Sequence, residues 1–280
     1  MRYVTVTVGD ASFSSFTVVK GVPKPNGFRI DFDVVRGLKG SPDKARIVIY
    51  NAPLDFAREA LLSKKRVRCS VAAGYVYPPP LVAIGDSVKD GVTYERQTPD
   101  RIFEVNFSDG LRKYQLARTA VSFTGKTTIR SVLEEAARQA GLDLGVIDAP
   151  GLDETFPRGY AAYGTFRESM DRIADAAGAD WMIQNEKIVM LGRGKAFQRT
   201  RGLVFSYKER TLYEGPSPRK GGAITIRGRF DPDIKPGSVF YVDSAPDLGS
   251  GLYKAKSVRL AGSSYQGGFS VEVEGVPYVI

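Results

Sequence analysis

The 280-residue chain contains no histidine, which removes Ser-His-Asp and Cys-His catalysis, His-ligated zinc or haem, and the usual base poised near neutral pH. It has one cysteine, Cys69, so internal disulfides and Cys-rich metal sites are excluded, and composition gives no sign of an oxidising compartment. No apolar run approaches the roughly 20 residues that a membrane-spanning helix needs. Met1-Arg2-Tyr3-Val4-Thr5-Val6 alternates like a strand, unlike a secretory leader. The expectation is a soluble protein made and kept inside a cell, or packed into a particle there, with no membrane-spanning segment. What survives is carboxylate or lysine chemistry, or no chemistry.

What is present is an ordinary globular composition, 42% hydrophobic and 25% charged, with a net charge of +9. Alternating runs bounded by Gly, Pro and Asp predict strands over 28–34, 46–50, 67–73, 81–87 and 102–107, and again over 223–226, 238–242, 252–260 and 269–273. One helix is predicted after Asn51, with Asn51 as cap and Leu54, Ala57 and Leu61 on one face. Between 121 and 194 the pattern turns helical. Ile129, Val132, Leu133, Ala136, Ala137 and Ala140 form a stripe between a Thr127 or Thr128 cap and Gly141. Thr165-Phe166-Arg167-Glu168 is a capping box opening a second stripe, and residues 180–190 predict a hairpin turning at Asn185-Glu186.

The fold class expected is mixed α+β and β-dominated: two similar β-barrel-like domains, 1–120 and 195–280, separated by a small α+β domain, 121–194, with two helices and a hairpin. The three blocks hold 19 basic against 12 acidic residues, 8 against 11, and 13 against 8, so the basic excess belongs to the β blocks. Their strands follow one another in the same order, and Ser-Val-basic recurs in both, at Ser87-Val88-Lys89 and Ser257-Val258-Arg259. A duplicated module and two generic meanders both fit that pattern.

Few constellations suggest chemistry. Gly125-Lys126-Thr127-Thr128 opens a helix as a phosphate loop does, but Ala120 stands where the motif needs Gly, so a plain capped helix is favoured. Asp31, Asp33 and Asp43, or Asp231 with Asp233, could pair as acids or oxygen ligands. Asp31 and Asp33 are better read as the solvated face of a strand, and Asp231-Pro232-Asp233 as a turn. Cys69 is expected to be a small core residue. The basic clusters Lys64-Lys65-Arg66-Val67-Arg68 and Arg199-Thr200-Arg201, with Tyr75, Tyr77, Phe205 and Tyr207 nearby, could bind nucleic acid or guard strand edges and face acidic partners. No catalytic, cofactor-binding or metal-binding residue is assigned, no cofactor is expected, and the chain is not expected to be an enzyme.

Ala45-Arg46-Ile47-Val48-Ile49-Tyr50-Asn51, the short helix, a strand ending Ala73-Gly74-Tyr75, and Ile84-Gly85-Asp86-Ser87-Val88 together resemble the first tube domain of bacteriophage tail baseplate hub proteins. The resemblance continues through Phe156-Pro157-Arg158-Gly159-Tyr160, the second helix and Trp181-Met182-Ile183-Gln184, while 223–239 is similar to the start of the family's second tube domain. It implies a homotrimeric structural hub of a tail or related injection machine, assembled in the bacterial host cytoplasm and placed in the virion baseplate. Such a hub forms a pseudo-sixfold ring joining the tail tube protein to the central spike protein, among other baseplate proteins and a tape-measure protein, with DNA only as transiting cargo. The alternative is a basic β-rich nucleic-acid-binding module.

Overall fold

Strand alternation sorts side chains into an inner and an outer face throughout the two β blocks. The structure, a computed structural model, describes residues 1–19, 22–38, 42–63, 66–110, 114, 117–197, 202–244 and 249–279. The first block contains β1 (Tyr3–Val8), β2 (Ala11–Ser14), β3 (Thr17–Val19), β4 (Val22–Lys24), β5 (Ile30–Gly37), β6 (Lys44–Tyr50), α1 (Leu54–Leu62), β7 (Arg68–Gly74), β8 (Leu81–Gln97) and β9 (Asp100–Ser108). The middle block contains β10 (Arg118–Phe123), β11 (Thr127–Thr128), α2 (Ile129–Ala140), β12 (Asp143–Asp148), β13 (Thr155–Phe156), β14 (Tyr160–Thr165), α3 (Phe166–Ala176), β15 (Ala179–Gln184) and β16 (Lys187–Gly192). The last contains β17 (Leu203–Ser206), β18 (Leu212–Pro218), β19 (Ile224–Arg229), β20 (Val239–Asp243), β21 (Gly251–Ser263) and β22 (Phe269–Pro277).

The strand order repeats. In the first block β6, β9, β8 and β7 lie side by side, all antiparallel, with β5 outside β6 and β1 outside β7. In the last block β19, β22, β21 and β20 lie in the same order, again antiparallel, with β18 outside β19 and β17 outside β20. The outer pair differs in one respect: β1 runs antiparallel to β7, whereas β17 runs parallel to β20.

The expectation of two barrel-like domains is met only in part. Apart from the β3–β4 hairpin, the described strands of the two blocks join into one 13-stranded sheet with no closed barrel, because β5 pairs with β21 over Asp31–Gly37 and Ser257–Ser263. One core accordingly runs under both blocks. Phe32 of β5, Phe230 and Phe269 of β22 meet edge to face or tilted within 5.7 Å of one another, and Tyr75 lies 5.3 Å from Phe269. Phe103, Phe107, Ile47 and Ile49 are fully buried on the first side and Phe240 on the other, each side chain contributing roughly 1.5–3 kcal/mol on burial.

The middle block has its own core between α2, α3 and the hairpin β15–β16. The Thr128 hydroxyl accepts from the Ser131 N–H at 3.1 Å, and Gly141 closes α2 in the left-handed conformation at φ 63°. Both halves of the capping box between Thr165 and Glu168 form at α3. Asn185 and Glu186 both take positive φ at the hairpin turn.

The first helix departs from expectation. Asn51 does not cap α1; it takes φ 58°, and its side chain bonds Asp100 and the Arg101 N–H instead. Pro53 stands at the cap, Ala57 and Ala60 are the buried residues, and Leu54 and Leu61 are exposed. The cause is the β8–β9 turn, which claims the Asn51 amide before the helix begins.

Candidate functional site

The two blocks meet along one edge of β21, where the strands that pair with it change partway. At its start β21 pairs with β20, and Gly237 and Ser238 carry the ladder to Ala255. After a bulge between Ala255 and Ser257, the same edge is taken up by β5, beginning with the Leu38 N–H donating to the Lys256 carbonyl at 3.1 Å. A bulge is the usual device for bending a strand so that it can serve two neighbours.

The hairpin of the middle block covers this handover. Leu38 packs with Met182, Val189 and Leu191, and Phe197 lies against them. Arg68 forms a bidentate pair with Glu186, one bond at 2.6 Å. Gly110 approaches the hairpin so closely that a Cβ there would stand 2.9 Å from the Ile183 side chain. Lys254, 6% exposed on β21, has its ammonium pKa lowered by burial, with Asp180 of the hairpin opposing that shift.

Beneath the handover lies a buried charge cluster. Arg36 Nε sits 3.1 Å from Asp43 Oδ2, with the two side chains 3% and 6% exposed. Asp109 is also buried and accepts the Glu186 N–H at 3.0 Å. Burial pushes the Asp43 carboxyl up to about 8 against the pull of Arg36. Burial likewise raises Asp109, to about 6, while the N–H groups of Glu186 and Asn185 pull it down. Burial thus opposes ionisation at both carboxyls, and the Arg36 guanidinium favours it at both.

The outer face of the sheet carries a ladder of alternating charge. From β18 inward, Glu214 pairs with Arg227 at 2.8 Å. Arg227 stands opposite Glu272, and Glu272 lies 3.9 Å from Arg259. Arg259 then crosses the junction to Asp33, Nε to Oδ1 at 2.9 Å with a second bond to Oδ2. Asp33 stands opposite Arg46, which pairs with Glu104 at 2.6 Å. Seven charged residues thus alternate in sign over seven strands.

The acids singled out from the sequence are thereby placed. Asp33 belongs to the ladder, and Asp31 accepts from Tyr50 Oη at 3.1 Å with Arg29 3.6 Å away. Asp43 is buried, and Asp231 accepts the Asp233 N–H at 2.9 Å in a turn. The structure does not bring these acids together. Gly125 takes φ 82°, Thr127 and Thr128 pair with Phe156 and Thr155, and the Thr128 hydroxyl is engaged by Ser131. Cys69 is buried, and burial pushes its thiol up to about 12. Of the basic clusters, Lys64, Lys65 and Arg199-Thr200-Arg201 lie outside the described residues. The aromatics near them are engaged: Tyr75 packs on Phe269, Tyr77 on Tyr3 and Phe16, and Phe205 on Phe240, while Tyr207 donates to the Gly215 carbonyl. Sequence reasoning missed Arg36, Asp109, Arg259 and Arg227 as junction and ladder residues, although the recurring Ser-Val-basic triplet pointed at Arg259.

No protein-family model matches the chain. A 103-residue stretch is 33% identical to alkaline phosphatase 4 of Bacillus subtilis, covering 36% of this chain and 22% of that protein, too little of either to carry the enzyme's activity across. Solved structures match over nearly the whole chain. The 43 kDa tail protein of prophage MuSo2 from Shewanella oneidensis superposes with a TM-score of 0.68 at 10% identity, over 98% of both chains. The tail protein from Neisseria meningitidis MC58 gives 0.63 at 14% identity, over 98% of this chain and 96% of that one. An Escherichia coli component of the type VI secretion system, described as structurally similar to T4 tail proteins gp27 and gp5, gives 0.59 at 11%, over 98% and 77%. The chain has the fold of phage tail proteins.

Proposed function

We propose that the chain is a baseplate hub: a homotrimer whose two repeated β modules per chain make six similar units around an axis, joining a sixfold tail tube to a threefold central spike. The observation that carries this reading is the repeated strand order, β5-β6-β9-β8-β7 and β18-β19-β22-β21-β20, joined within one chain by strand pairing. Three such chains present six related edges to a sixfold partner and three whole chains to a threefold one, which is how a symmetry mismatch is bridged. The charged outer face lines the channel, since the opposite face is committed to the core. DNA is cargo passing along that face. The tail tube protein, spike protein, other baseplate proteins and a tape-measure protein are its partners, and assembly takes place in the host cytoplasm before incorporation into the virion tail. No side chain is assigned a catalytic task, and the chain works by geometry alone.

The test is composition and copy number of purified tail particles. Quantitative mass spectrometry is expected to find three copies of the chain per particle. Particles without the chain, or with six or more copies, would sink the proposal.

A further inference from the structure

The middle block sits on the junction without becoming part of it. We propose that it is latched there as a separately folded body: the hairpin β15–β16 lifts off the handover between β20 and β5 and settles back, with the Arg68–Glu186 pair as the catch. The sheet keeps its shape while the block changes its bearing. Such a motion lies within one chain and is independent of the ring reading above.

Two cores meet here with little between them. The block's own core, around Leu133, Phe166, Ile173 and Trp181, is separate from the core under the sheet. Between them lies a third, small cluster, in which Leu38 at the end of β5 packs with Met182, Val189 and Leu191 of the hairpin and with Phe197. Among the described residues no strand of the block pairs with a strand of the sheet, and no helix or strand of one packs along an element of the other. What touches is turns and loop ends: Asp109 and Gly110 after β9, Leu38 after β5, and Gly237 before β20. Folded units joined by so small and polar a contact ordinarily move relative to one another. A cleft of about 500 Å³ already enters at this point, with Leu38 on one side and Arg167, Asp171, Asp180, Trp181 and Arg193 of the block on the other.

Mostly polar forces hold the hairpin down. Arg68 of β7 grips Glu186 at the hairpin turn by two bonds, one of 2.6 Å, and Asp86 of β8 lies 3.6 Å from the same guanidinium. Asp109 accepts the Glu186 N–H at 3.0 Å, and Lys254 of β21 feels the charge of Asp180. The Arg68 and Glu186 side chains are 43% and 36% exposed, so salt screens their attraction. Lifting the hairpin breaks that pair and uncovers the Leu38 cluster. It also returns water to Asp109 and to the Arg36–Asp43 pair beside it, groups whose charge is costly to bury, and this offsets part of the loss. The block stays folded throughout, because its helices keep their own caps and Trp181 keeps Phe166 and Tyr114 as neighbours.

The test is thiol labelling of the full chain with excess maleimide. Cys69 is 1% exposed and burial keeps its thiol protonated, so the parent protein is the blank. Val189→Cys places a thiol in the Leu38 cluster, and Ala137→Cys places one in the block's own core. Val189→Cys is expected to react at least about tenfold faster than Ala137→Cys, since lifting uncovers only the first. Raising sodium chloride from about 0.05 M to about 0.5 M should speed it about threefold as the catch is screened. Adding Arg68→Gln should speed it about fivefold at low salt and remove the salt response, while adding Arg68→Glu with Glu186→Arg should restore both the slow rate and the response. Circular dichroism confirms that each variant folds. Equal rates at the two sites overturn the latch, as does a rate at Val189→Cys that ignores both salt and Arg68. Parallel acceleration of Ala137→Cys overturns it too, since the block would then be unfolding and not lifting. None of these outcomes bears on copy number in tail particles, so the latch and the hub reading fail separately.

Discussion

The two β modules share a strand order and differ in what covers one edge. At β21 the edge is completed by β5, a bulge and the hairpin of the middle block; at β8, among the described residues, no strand takes the corresponding edge, which borders a groove beside α1. The same plan is therefore finished once within the chain and left unfinished once. In the proposed ring that asymmetry is expected, since with two units per chain one joint must lie between chains.

The comparison can be broken most severely in the shared core. Phe269→Ala removes the ring that touches Phe32 and Tyr75 of the other block and should cost about 4 kcal/mol. Scanning calorimetry is expected to show one transition moving as a whole; two separating transitions would mean that the modules fold independently. Arg36→Met, at the junction itself, removes the buried guanidinium 3.1 Å from Asp43 and should cost about 3 kcal/mol, read from chemical denaturation at pH 7.

A subtler change alters the pH dependence of the junction. Asp43 and Asp109 hold their protons more tightly folded than unfolded, with values raised from 3.8 to about 8 and about 6. The folded state then binds the extra protons, so stability is greatest below about pH 4 on account of these groups and falls as pH rises toward 8. Asp43→Asn should flatten the upper part of that decline, from about pH 6 to 8, in melting temperatures taken across the range. An unchanged slope would place the titration elsewhere. Least of all, Asp33→Ala removes a half-exposed pair with Arg259 and should cost under about 1 kcal/mol. Paired with Arg259→Ala in a double-mutant cycle, it measures the cross-junction contact alone.

Much of this architecture was legible in the residues. The strands from β5 to β9 and from β19 to β22 announce themselves by alternation, because one face is core and the other is wet. Both long helices carry their caps in the sequence. β18 was not legible: Gly215, Pro216 and Pro218 break any strand pattern, and they are tolerated because β18 is an edge strand that need not donate along its outer side. The length of β8 was missed for a related reason, since Lys89-Asp90-Gly91 looks like a turn but is a bulge within a continuing strand. The junction residues escaped because their partners are far away in sequence. Asp33 looked solvated, and it is partly exposed, but its partner is 226 residues distant. Local periodicity says which face a residue is on and nothing about which strand lies beside it.

The ladder of alternating charge changes what the net charge of +9 means for a polyanion. Glu214, Arg227, Glu272, Arg259, Asp33, Arg46 and Glu104 add up to one negative charge, and most of the positive groups are already neutralised by a neighbour. In the proposed channel a nucleic acid moving along this face would find few free cations to exchange its counterions for, and would gain almost none of the entropy that anchors DNA to basic grooves. The surface is a low-friction one: a polymer can be pushed over it without being held.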